Sequence, residues 1–319
     1  MGVKRLDRRG FEFSFSLMFA LIVGAAILFL ALYFSGAIIK GSSYQRDTEI
    51  AKELTILFDP FETGFAETKV ATINLPSATR IITQCSREGN FGYETLASSE
   101  QSFGTWSDPG GAIKITNRYV FADELEEGKF LYLFSKNFEM PFKVSEIILM
   151  STRNYCFSSD VPNEIKDELT HLNLKSLEFG LCSPGSLKVC TFGNCDIKIT
   201  GSCVSGCNSK FDSGTVVKQG KTLYYDGNLV YAAIFSSPEI YECNVKRLAQ
   251  RTAALSSLYK DQNLLNTFCG NAIDSPLLQL EQQAEQFSDS RDLLPLRNAA
   301  HDLQAHYENL NDQCKIWTT

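Results

Sequence analysis

Between Leu17 and Ile39 the chain carries 23 residues without a single charge. Wound as an α-helix rising 1.5 Å per residue, that run is roughly 34 Å long, enough to cross a hydrocarbon core of about 30 Å. The apolar core of a cleavable secretory signal is about 7 to 15 residues, and buried core helices are also usually shorter than this run. A membrane span is the expectation, and everything after it is placed by its orientation. Lys4, Arg5, Arg8 and Arg9 precede the run against one acid, Asp7, whereas Lys40 and Arg46 after it are matched by Asp47 and Glu49. Basic residues favour the cytoplasmic flank, so the N-terminus is expected inside and residues beyond about 42 outside. Residues 1–10 carry +3, residues 11–39 carry −1 and the remainder −9, within a net charge of −7. An acidic ectodomain is not built to grip nucleic acid.

Cysteine placement points to the same compartment. Cys85, Cys156, Cys182, Cys190, Cys195, Cys203, Cys207, Cys243, Cys269 and Cys314 all lie beyond the apolar run, and their number, 10, is even. An oxidising environment selects that usage, so all of them are disulfide candidates. The chain beyond the span is long enough to bury a core of its own, so bridges would reinforce the fold and not replace it.

The leader KRLDRRG followed by FEFSFSLMFALIVG resembles a type IV pilin precursor. The resemblance implies cleavage after Gly10, a mature protein beginning at Phe11, and a continuous N-terminal helix that is membrane-embedded before assembly and packed in a filament core afterwards. The apolar positions Ile50, Leu54, Leu57 and Phe58 extend the helical pattern to about residue 58. The resemblance covers about residues 4–58. Bacterial pilins usually have Glu at the fifth mature position, where this chain has Phe15; the only acid nearby is Glu12. Archaeal relatives are looser at that position, and stretches such as LFDPFETGF and FSKNFEMPFKV are loosely similar to uncharacterised single-pass archaeal surface proteins. An uncleaved signal anchor is the plainer alternative to a processed stem.

Asp59-Pro60 should stop the helix, because proline cannot continue the backbone ladder. KVATINL, TRIITQC, AIKITNRYVF, KFLYLF and FKVSEIILM then read as strands, rich in β-branched and aromatic residues and separated by turn clusters. VPNEIKDELTHL reads as an amphipathic helix between the strands NYCF and LKSLEF, which allows one crossover unit on a sheet. KVCTFGNCDIKI reads as a hairpin that sets Cys190 opposite Cys195, and KTLYYDGNLVYAAIF as a second hairpin turning at Asp226-Gly227. From Pro238 onward the pattern is helical, in three segments. The first carries Val245, Leu248, Leu255 and Leu258; the second Leu277, Leu280, Ala284 and Phe287; the third Leu296, Ala300, Leu303, Tyr307 and Leu310. Short connections would bring the ends of the first and third segments together and pair Cys269 with Cys314.

No catalytic frame is found. H-E-x-x-H, G-x-S-x-G, G-x-x-x-x-G-K-[ST] and G-x-G-x-x-G are all absent. GTVVKQGKT has one residue too many between its glycines and reads as a strand and a turn. His301 and His306 are five apart, not the four that would place two ligands on one helix face, and His171 reads as a helix C-terminal residue. The spacing of Cys190, Cys195, Cys203 and Cys207 misses the usual zinc knuckles, so bridges are expected there and no metal. ELEEG, with Glu124, Glu126 and Glu127, reads as a solvated loop. Tyr224, Tyr225, Tyr231, Phe235, Phe130, Tyr132, Phe134, Phe138 and Phe142 read as core packing. Along FLYLF, period two gives both faces apolar residues, as in a sheet covered on two sides.

The expected architecture is α+β: a basic leader (1–10), a transmembrane helix (11–39), a helical stem (40–58), a mainly antiparallel, disulfide-bearing β-rich ectodomain (59–236) and a three-helix C-terminal unit (237–319). The expected function is structural or interactive at the cell surface, with no cofactor. Partners would be the lipid bilayer, further copies of this chain, or other surface or filament proteins. A processed filament subunit is the first alternative. A membrane-tethered extracellular hydrolase, its site assembled from residues distant in sequence, is the second.

Overall fold

The structure is a computed structural model that describes residues 15–58, 69–203, 208–265 and 271–317. Its class is α+β, with one apolar N-terminal helix, two mixed sheets and disulfides. The first helix, α1 (Phe15–Leu57), runs unbroken for 43 residues. Its segment Phe15–Ser35 has a mean hydropathy of 2.7, none of it is buried, and it is long and apolar enough to cross a membrane.

The first sheet contains β1 (Val70–Ser86), β2 (Tyr93–Ser102), β3 (Thr105–Trp106), β4 (Ile113–Ile115), β5 (Tyr119–Phe121), β6 (Leu125–Glu139) and β7 (Lys143–Ser151). Its order is β3-β2-β1-β6-β7-β5, with β4 also paired to β2; β5 and β7 run parallel and the other pairs antiparallel. KVATINL and TRIITQC prove to be one strand, β1, broken only by an irregularity between Asn74 and Thr79. Alternation along the strands feeds two cores. Tyr119, Phe121, Phe134, Ile147 and Leu149 face one; Val120, Leu131, Leu133, Ile148 and Met150 face the other. The second core is closed by Leu54 and Phe58 from the end of α1. Both faces of this sheet are therefore covered. ELEEG is not a loop: from Leu125 it opens β6, and while Glu124 and Glu127 are exposed as expected, Glu126 is buried, accepting bonds from the Thr152 amide and hydroxyl.

The second sheet contains β8 (Tyr155–Phe157), β9 (Leu177–Phe179), β10 (Leu187–Cys190), β11 (Ile197–Gly201), β12 (Ser213–Lys218) and β13 (Lys221–Asp226), in the order β13-β12-β11-β10-β8-β9. Helix α2 (Asn163–His171) joins β8 to β9, which pair in parallel, so the crossover unit is present; Ile165 and Leu169 are its buried side. Two hairpin readings are overturned. β10 and β11 pair in parallel, because the amides of Thr191 and Phe192 are captured by the Asp160 carboxylate and the chain loops back on itself before β11 starts. KTLYYD does not turn at Asp226-Gly227 into a strand. It is β13, paired backward to β12 across Gln219-Gly220, and the next residues form α3 (Leu229–Phe235). Every side chain of α3 is buried. A short run that is apolar all round serves a buried helix as well as a buried strand, and periodicity does not separate them.

Helices α4 (Pro238–Leu265), α5 (Asp274–Glu285) and α6 (Leu293–Glu308) follow. They share one continuous core with β5–β8, β10–β13 and α3, through residues such as Val245, Leu248, Leu277, Leu280, Leu296 and Leu303. Leu258 departs from the expected stripe and is exposed. The helices close over the sheets and do not have a core to themselves.

Disulfides join Cys85 to Cys243 across 158 residues, Cys156 to Cys182, and Cys190 to Cys195. Cys203 and Cys314 are disulfide-bonded as well. Cys207 and Cys269 lie outside the described residues, and the expected Cys269–Cys314 pairing falls there with them.

Candidate functional site

Among the described residues, polar chemistry concentrates at the joint between α1 and the first sheet and in two clefts of the folded part that follows α1. The joint is built from a charged residue that a solvated stem would leave in water. Asp47 is fully buried on α1. Its carboxylate accepts the Glu100 amide at 3.0 Å and the Ser107 hydroxyl at 2.6 Å, and its main-chain carbonyl accepts from the Ser98 hydroxyl. Burial pushes its pKa up, with the Ser107 hydrogen bond opposing. One residue on, the Thr48 hydroxyl accepts the Gly111 amide at 2.7 Å. A Cβ at Gly110 would lie 2.5 Å from the Thr48 amide nitrogen, so the SDPGG turn approaches the helix as closely as only glycine allows. Arg46 and Glu100 form an outer ion pair at 2.6 Å, and the Arg118 guanidinium donates to the Thr55 carbonyl. Of the expected apolar stripe, Leu54 and Phe58 are buried, Ile50 is half-buried, and Leu57 is exposed.

The cleft beside the Cys85–Cys243 bridge has a volume of about 820 Å³. Its charges are largely engaged with one another. Lys221 pairs with Glu239, Arg291 with Asp289, and Glu242 accepts from the Ser290 amide and hydroxyl. The second region surrounds Asp226, which lies between Lys136, Asn137 and Asn228 on one side and Arg297 and His301 on the other. Burial pushes the Asp226 carboxyl up to about 6, against the opposing pull of Arg297, 3.1 Å away. Lys136 bridges to Glu168, which also accepts from the Tyr231 hydroxyl; burial, and then that acid, push the Tyr231 hydroxyl up. His301 accepts from the Arg297 guanidinium, and burial with that cation lowers its pKa. The cleft offers an acid that titrates near neutrality, but among the described residues no nucleophile stands beside it with a base to activate it.

His171 and His306 each cap back onto the carbonyl four residues before, at Asp167 and Asp302. Among the described residues, no group of three or more His, Cys, Asp or Glu is placed to hold a metal ion. Most of the aromatic residues expected in the core are there, but Phe130 and Tyr224 are substantially exposed. Gly10 and Phe11 lie outside the described residues. The joint at Asp47 was not among the sites expected from sequence. The one signal that could have found it is an acid flanked by helix-forming residues and placed on the side of α1 that leads to Leu54 and Phe58.

No family model, curated protein or solved structure matches this chain.

Proposed function

We propose that this chain is a single-pass membrane protein, N-terminus in the cytoplasm, whose disulfide-bearing ectodomain serves a structural or interaction role outside the cell. The observation that carries the reading is the union of an apolar span, Phe15–Ser35, with an ectodomain locked to the same helix at Asp47. None of the span is covered by the described residues, and a bilayer would supply the apolar surroundings it lacks. From Ser35 to Asp47 is 12 residues, about 18 Å of helix. On this reading the ectodomain sits beside the membrane in a set orientation. The bridges support placement on the oxidising side, and the basic leader supports the direction of the span.

Protease treatment of intact cells, compared with lysed cells, tests the orientation. Degradation of the ectodomain in intact cells, with the remaining fragment resisting alkaline extraction from the membrane, is the expected result. Protection of the ectodomain until lysis overturns the orientation, and extraction by alkali overturns the span.

The rigid joint gives specific support to a second reading, a processed pilin-like filament subunit. In a filament, the stem of one subunit must fix the position of its head, and a helix clamped by buried polar contacts does so where a flexible tether would not. N-terminal sequencing of the mature protein separates the two. A start at Phe11 supports the filament subunit, and an intact leader removes it.

A further inference from the structure

β2 and β3 are joined by a two-residue turn, Phe103-Gly104, with Ser102 paired to Thr105. Both central residues have positive φ, 49° and 79°. That is the type I′ geometry, which favours Asn, Asp or Gly at the first position because a bulky side chain is strained there. The chain instead puts phenylalanine at that position and leaves it wholly exposed, at 105% of its reference area. Another I′-like turn, Gln219-Gly220, carries a polar residue at the equivalent place. Nothing in the folding of the hairpin calls for Phe103.

Its position along α1 supplies a reason. β2 runs antiparallel to α1. Asp47 lies against Ser98 and Glu100, and further along the helix Thr55 accepts from Arg118, which follows the end of β4 that pairs with Glu94. Seven residues of helix and three of strand each cover about 10 Å, so helix and strand advance together. From residue 99 to Phe103 is a further 13 Å or so toward the N-terminal end of α1, which brings the turn level with about residue 38. That is the end of the uncharged run Leu17–Ile39. Trp106, with the Arg80 guanidinium stacked 4.3 Å from its ring centroid, follows about 7 Å behind the tip. Trp and Arg are the residues that settle among lipid headgroups, with an apolar side chain reaching below them.

We infer that the Ser102–Thr105 tip is a second membrane contact, in which Phe103 enters the lipid interface beside the span and Trp106 and Arg80 lie at headgroup level. The occupant is a lipid surface because the tip and the end of the span fall at one depth on one rigid body. The inference rests on the membrane-spanning reading above. Two contacts, one through α1 and one at the tip, would fix the rotation of the ectodomain about the helix axis as well as its height.

The test uses the full chain carrying Phe103→Trp, reconstituted in phosphatidylcholine vesicles with a nitroxide on the headgroup. Leu181→Trp, at an exposed loop of the second sheet, serves as the control. Flotation after alkaline washing reports insertion of α1 independently. The unsubstituted chain supplies the background from its own tryptophans. The expected result is that the indole added by Phe103→Trp is quenched at least twofold more strongly than the one added by Leu181→Trp, in vesicles that retain the protein. Retention with equal, weak quenching of both overturns the tip contact and leaves the span standing. Loss of the protein from the vesicles overturns the span and the tip contact with it. A blue-shifted emission from the Phe103→Trp indole that lipid nitroxide does not quench assigns the tip to a protein neighbour and overturns the inference.

Discussion

Asp47 is a carboxylate on the helix expected to form a stem, yet no part of the carboxylate meets water. Replacing it by Ala deprives the Glu100 amide and the Ser107 hydroxyl of a charged acceptor, which costs about 1.5–3 kcal/mol. Chemical denaturation of the full chain in detergent should show that loss, and a change below about 0.5 kcal/mol would contradict a buried joint. Asp226 gives a pH signature of opposite character to the usual carboxylate. Its folded-state pKa, about 6, lies above the ordinary value of 3.8, so the folded protein takes up the proton first. Stability from this group is complete below about pH 4 and is lost as pH rises through about 6. Thermal melts should therefore show the native protein losing stability between about pH 4 and pH 7 relative to Asp226→Asn, by about 2–3 kcal/mol, since each tenfold difference in proton affinity is worth roughly 1.4 kcal/mol. Parallel profiles would contradict the assignment.

At the scale of elements, α1 and β2 are held together by contacts that tolerate little change. Gly110→Ala sets a methyl group against the Thr48 amide and the Asp47 backbone, so the SDPGG turn must retreat from the helix. A destabilisation of about 2 kcal/mol or more, with faster proteolysis within residues 44–58, is the expected outcome. Unchanged stability would mean that the turn does not press on the helix. Elements governed by strong local patterns were legible in the sequence. The apolar span, the crossover helix α2 and the two-faced strand β6 all follow from period or length. The misread elements were decided by tertiary contacts. LVYAAIF is a helix because it is enclosed on every side, and KVCTFGNCDIKI is parallel because Asp160, 31 residues before Thr191, captures its turn. Glu126 reads as surface charge until the chain leaving β7 brings the Thr152 amide and hydroxyl to it. Local sequence carries no trace of these partners.

For the whole molecule, the first sheet and the C-terminal helices are joined by a buried ion pair. Arg247 of α4 meets Glu94 of β2 at 3.2 Å, both side chains wholly buried. The Arg247 guanidinium also donates to the carbonyls of Phe91, Arg118 and Thr116. Removing one partner, as in Arg247→Met, strands the other charge and should cost about 3–5 kcal/mol in a denaturation experiment. A loss under about 1 kcal/mol would show that the pair is not closed to solvent. The same ion pair places helix α4 over the sheet that α1 grips through β2, so α1, the first sheet and the C-terminal helices are expected to move as one piece. Hydrogen exchange of the full chain in lipid nanodiscs tests that unity. Amides from residues 44–57 and the amide of Glu100 should exchange as slowly as those in the middle of β1 and β6. Exchange of residues 44–57 within seconds, as in a fraying isolated helix, while the sheet stays protected, would show a loose tether and rule out a single rigid body.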